Sequence, residues 1–168
     1  SIKTRPMKKL TFACALILAS VGLKAQITTG KDVAIVATDA GKVRGYVHSG
    51  IYTYKGIPYA EAARFEAPHK PKPWAGVRSS MSYGPVSPLI DETTQIQDES
   101  EFVFNHNWGF TNEDCMRINV WTPGIKDGKK RPVMFWIHGG GFTAGSAEEL
   151  KSYDGENLAK KEDVVVVS

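Results

Sequence analysis

No serine among the 168 residues has a glycine two positions before it, so the Gly-x-Ser-x-Gly corner that lifts a nucleophile out of a strained strand-to-helix turn is missing. The four histidines, His48, His69, His106 and His138, come with no readable serine and acid constellation. Nor do histidine, cysteine, aspartate and glutamate fall at metal-ligand spacing, so the sequence implies neither a metal nor an organic cofactor. Cysteine is limited to Cys14 and Cys115, which excludes a disulfide-built scaffold. The longest apolar run, Leu10 to Leu23, falls short of the ~20 residues that a membrane-spanning helix needs. Internal repeats, low-complexity tracts and heptads are missing as well.

That apolar run has another use. It follows Met7, Lys8 and Lys9 and leads into small residues, the layout of a secretory signal peptide. Residues 1–25 are therefore read as upstream residues plus a signal peptide spanning 7–25 and cleaved after Ala25, with export to periplasm or medium. Residues 26–168 are read as the N-terminal portion of one domain, incomplete in itself. Lys3, Arg5, Lys8, Lys9 and Lys24 all belong to the leader, and without them 16 basic residues face 18 acidic ones. The basic excess is thus a property of the export signal, and no nucleic-acid partner is inferred. Cys115 is left as a lone thiol.

Along the rest of the chain, β-prone stretches come first. Val33–Ala37, Lys42–His48 and Ile51–Lys55, punctuated by Asp39-Ala40-Gly41 and Ser49-Gly50, read as a small antiparallel meander. Frequent prolines between Ala67 and Pro88 predict ordered coil. A polar segment with the aromatic cluster EFVFNHNWGF follows. Then RINVWT (Arg117–Thr122) and PVMFWI (Pro132–Ile137) read as two buried strands joined by a charged hairpin. GENLAKKE reads as a short helix, and the four valines of DVVVVS as a strand buried on both faces.

Directly after PVMFWI stands HGGGF, His138 to Phe142. Three consecutive glycines are costly to order, so they need a reason. One reading is a plain turn. The other is an oxyanion hole, in which backbone N–H groups converge where negative charge develops during acyl transfer.

The surrounding residues bear on that choice. NEDCMRINVWTP before PVMFWIHGGGF, with YKGIPYAE, RFEAP and PWAGVR upstream and YDGENLA after the glycines, resembles the N-terminal third of type B carboxylesterases, the serine esterases that include para-nitrobenzyl esterases and cholinesterases. The resemblance runs from about Val33 to Ser168. It implies an α/β class, the N-terminal part of an α/β-hydrolase fold, with a small antiparallel meander followed by the first strands of the central mixed sheet. It implies hydrolysis of a small-molecule carboxylic ester through an acyl-enzyme, the serine, acid and histidine of the triad not being among these residues, so that this segment alone is inactive. Gly140 and Gly141 then match the oxyanion-hole glycines, and His138 and Gly139 support their loop. Phe142 is a candidate wall of the acyl pocket, and Trp108 and Phe110 candidate gorge residues.

Arg64 and Glu113 match positions that pair in the family as a buried salt bridge. Cys115 matches a cysteine often bridged to the preceding proline-rich stretch, where Ser87 stands here, so a free thiol is expected. Met116 and Arg117 replace the leucine and aromatic usual at those positions. Two rival readings remain open at this point: a catalytically inactive cholinesterase-like binding or adhesion module, and an inert truncated gene product.

Overall fold

The structure, a computed structural model, describes residues 26–88, 106–107, 109–142 and 144–168. Their elements run β1 (Ile35–Ala37), β2 (Lys42–Arg44), β3 (Tyr46–His48), β4 (Ile51–Pro58), β5 (Val77–Ser79), β6 (Arg117–Thr122), β7 (Val133–Phe135), α1 (Glu156–Glu162) and β8 (Val165–Val167). The signal-peptide reading falls on 1–25 and lies outside the described residues, as does Trp108.

The β-branched and aromatic residues of the first third do form antiparallel pairs, but in two sheets rather than one meander. β1 and β2 pair antiparallel in a three-stranded sheet of order β1-β2-β5. β3 and β4 pair antiparallel in a five-stranded sheet of order β3-β4-β6-β8-β7. The division falls at Gly45, between β2 and β3. A Cβ there would run into the Thr53 carbonyl and sit 2.8 Å from the Tyr54 ring, so only glycine lets the chain cross at that distance. β5 lies in the proline-rich stretch expected as coil; it is short, exposed and parallel to β2.

β6 and β7 are not a hairpin. β8 is inserted between them, antiparallel to β6 and parallel to β7. Val166 and Val167 are buried, and a strand with apolar groups on both faces is better satisfied inside a sheet than at its edge. The charged connection between β6 and β7 is held instead by Arg131, whose Nη2 lies 2.7 Å from Asp127 Oδ2 and whose Nε lies 2.7 Å from Asp163 Oδ1.

Alternation along β4 and β6 places apolar groups on both faces of the larger sheet. On one, Tyr54 and Ile57, with Ile118 and Val120 against them, pack with Ala34 and Val43 of the smaller sheet and its flank. On the other, Ile51, Trp121 and Val166 pack against Ala159 of α1. α1 has only seven residues, too few to persist alone, so this contact sustains it. The approach is close: a Cβ on Gly155 would stand 2.6 Å from Val166 Cγ1 and 2.8 Å from Trp121 Cε3. Glu156 stands in the first turn and Lys160 and Lys161 in the last, the order that the helix dipole favours, with Glu162 at the final position opposing it.

β4 carries a register shift between Tyr54 and Ile57. Lys55 N–H leaves the ladder for Ser80 O at 2.8 Å, and Gly56 N–H donates to the Asn119 side-chain oxygen at 3.0 Å. The amide of Asn119, buried in β6, thus fills a position that a ladder bond would otherwise occupy. Its Nδ2 reaches Ser168 Oγ at 3.3 Å.

Candidate active site

The parallel strands β7 and β8 end on the same side of the sheet where β6 begins. At this end lies a cleft of about 840 Å³. Its walls are the ends of β7 and β8, the start of β6, the Tyr83–Pro88 stretch and the loop that follows β7. Ligand sites in open α/β sheets favour this end of the parallel strands. The lining is mainly apolar and aromatic, with Tyr59, Tyr83, Met116, Phe135, Trp136 and Phe142 among its members.

Three residues separate the end of β7 from the glycine triplet, which begins at Gly139. Gly140 has φ +125° and Gly141 φ +59°, both on the left-handed side that glycine adopts without strain. The two differ in surroundings. A Cβ at Gly140 would strike the Ala144 carbonyl, whereas at Gly141 nothing lies within 4 Å. A hydrogen bond from Ala144 N–H to Gly140 O, 3.0 Å, folds the loop back on itself. His138 Nδ1–H donates to Gly139 O at 2.7 Å, which ties the ring to the loop's own backbone. Gly139 has open space about it.

His138 and Phe142 both line the cleft. Phe142 has φ +64°, unusual for a bulky residue, and its ring is fully exposed. Phe110 is also exposed but is not part of the wall; its carbonyl accepts the Val86 N–H at 2.9 Å.

Arg64 Nη1 lies 2.8 Å from Glu113 Oε1, yet the side chains are 67% and 53% exposed, so the burial expected of this pair is corrected. Both ends sit on irregular segments, with the Phe65 ring against the guanidinium and, among the described residues, no layer of structure over them. Cys115 is a free thiol, half-buried, and shares the cleft wall with Ser87.

Several lining residues had no motif to announce them. Ser146 is buried, and its Oγ accepts the Glu148 N–H at 3.3 Å, a local turn contact. Burial raises the Glu148 carboxyl above its ordinary value, with Lys55 nearby pulling the other way. Burial also pushes the Tyr83 hydroxyl up, reinforced by Asp154. Arg117, noted in the sequence only as an unusual residue, is the cleft's one guanidinium among the described residues. Among those residues no group of His, Cys, Asp and Glu could hold a metal ion, and no helix is long and apolar enough to cross a membrane.

Residues 32–168 match the carboxylesterase family. The chain is 37% identical over 138 residues to phenmedipham hydrolase of Pseudarthrobacter oxydans, an alignment covering 80% of this chain and 27% of that protein. It is 36% identical over 143 residues to para-nitrobenzyl esterase of Bacillus subtilis, covering 80% and 26%. Among solved structures, an esterase from Clostridium hathewayi that can hydrolyze aliphatic aromatic polyesters superposes with a TM-score of 0.79 at 41% identity, over 86% of this chain and 28% of that one. The chain thus spans little more than a quarter of the proteins it matches.

Proposed function

Because the chain belongs to the carboxylesterase family, we propose that it forms the oxyanion-hole side of a serine esterase active site. The observation that carries this reading is the triplet at the end of β7, with left-handed Gly140 and Gly141 beside an aromatic cleft. In this reading a serine elsewhere in the complete protein attacks the ester carbonyl, a histidine moves its proton, and an acid orients that histidine. The N–H groups of Gly140 and Gly141 receive the developing oxyanion, His138 and Gly139 hold their loop, and Phe142 bounds the acyl group. Residues 26–168 alone lack the triad and are inactive. Residues 7–25 act as an export signal, supported by the basic, apolar and small-residue layout.

The test uses the complete gene product. A 4-nitrophenyl ester should give a pre-steady-state burst of nitrophenolate equal to the enzyme concentration, and a phosphonylating reagent should abolish it through one modified serine. Absence of ester turnover by the folded, complete protein overturns the proposal.

A further inference from the structure

We propose that Arg117 selects esters carrying a free carboxylate. The inference rests on the ester-hydrolase reading of the cleft and goes further, by naming a substrate class. It starts from an imbalance: the lining is mainly apolar and aromatic, yet a guanidinium is built into it.

Arg117 opens β6, so its backbone is fixed by pairing with Pro58 of β4. Its side chain lies over Gly84, where a Cβ would stand 2.7 Å from Arg117 Cγ; the glycine makes room for the aliphatic stem. The head is tethered from the side, Nη2 to Asp114 Oδ2 and Nε to the Asp114 carbonyl at 3.4 Å. Among the described residues these are the guanidinium nitrogens that donate, which leaves Nη1 for a ligand. The side chain is 20% exposed, while that of Asp114 is 56% exposed. The contact with Asp114 offsets part of the cation's charge, and the better enclosure of the guanidinium strengthens what remains for a ligand at Nη1.

Guanidinium fits the planar carboxylate group, and a hydrogen bond to an ionised acceptor gains strength in an apolar setting. The carboxyl that does lie on the wall, Glu148, opposes such a ligand less than an ordinary glutamate, since burial disfavours its charged form. The fitting substrate has an apolar or aromatic body, a scissile ester at the glycine loop and an ionised carboxylate at the Arg117 end. Monoesters of dicarboxylic acids and carboxyaryl esters belong to this class.

The experiment compares kcat/KM of the complete enzyme within two probe pairs: mono-4-nitrophenyl succinate against 4-nitrophenyl pentanoate, and 4-carboxyphenyl butanoate against phenyl butanoate. The expected result is a preference for the carboxylate member of at least one pair. Arg117→Met, which keeps the stem over Gly84, should lower that ratio about tenfold and leave the neutral ester within about twofold. Arg117→Lys should retain part of it, and the wild-type preference should weaken as salt rises. Equal losses on charged and neutral esters would reduce Arg117 to a structural role and overturn the proposal, as would a salt-independent ratio. Wild-type turnover of the neutral esters with no carboxylate preference in either pair also overturns it, while sparing the esterase reading. Failure on every ester sinks both.

Discussion

Gly141 offers the cleanest single-residue test, because conformation and space separate there. Nothing would touch an added methyl, so alanine would meet only the backbone cost of φ +59°, about 1–2 kcal/mol for an L-residue. Gly141→Ala keeps the backbone N–H, but relief of the left-handed φ or the methyl itself would hold that N–H away from the ester oxygen, so kcat is expected to drop roughly 10²- to 10³-fold, as when one oxyanion donor is lost, while the circular dichroism of the complete enzyme persists. A folded variant with normal turnover refutes the role. Gly140→Ala is a poorer probe, since its methyl would also collide with the Ala144 carbonyl. At Arg64 and Glu113 the expectation is smaller than a buried pair would give. Both heads are mostly in water, so a double-mutant cycle to alanine should return a coupling of about 0–1 kcal/mol. A coupling of several kcal/mol would show that the pair is enclosed in the complete protein. The motif made the pairing legible, but exposure depends on what packs above, and no local pattern encodes that.

Among the elements, β4 with its bulge shows how a side chain can stand in for backbone. Asn119→Ala would strand the half-buried Gly56 N–H and break the link to Ser168 Oγ, with an expected loss of about 1–3 kcal/mol in denaturant unfolding of the complete protein. Asn119→Asp retains an acceptor for Gly56 and should recover part of that loss; equal losses in the two variants argue that packing alone is at stake. α1 and β8 are legible because each signal is local: GENLAKKE has an acid in its first turn and two lysines in its last, and DVVVVS has valines for both faces of the sheet. The separation of β6 from β7 is not legible, for the opposite reason. Two apolar runs separated by a charged turn look the same whether they pair or admit a third strand, and only β8, far along the chain, decides it. The strand β5 has no sequence signal, because its pairing with β2 offers three exposed residues and no alternation. The cleft was legible only at its glycine loop. Tyr59, Tyr83 and Arg117 reach the wall from separate strands and loops, and nothing in their spacing links them.

Whole-molecule behaviour at low pH should run through the Arg131 clamp, which joins the β6–β7 connection to the turn between α1 and β8. Hydrogen bonds from Arg131 and from the Lys129 backbone hold the Asp127 carboxyl down at about 2, and Arg131 also lowers Asp163. A carboxyl depressed on folding adds stability that is full above its unfolded value near 3.8 and fades as pH falls through its folded value. The complete protein should therefore lose stability between about pH 4 and pH 2. Arg131→Met should flatten that acid slope and lower the melting temperature at neutral pH, whereas an unchanged slope would place the acid-sensitive groups elsewhere.

Association follows from the larger sheet as a whole. Among the described residues β7 pairs with β8 alone, so its outer edge presents unsatisfied backbone groups beside Val133 and Phe135, which are 64% and 61% exposed. An apolar strand edge of this kind recruits further strands. Residues 26–168 produced alone are thus expected to sediment as large species or to lack a cooperative unfolding transition. Val133→Lys should shift them toward smaller species, because a charge on the edge opposes strand addition at that site. A monodisperse monomer that unfolds cooperatively would mean that the β7 edge is closed off in solution. If Val133→Lys leaves the association untouched, the exposed cleft aromatics, rather than this edge, hold the molecules together.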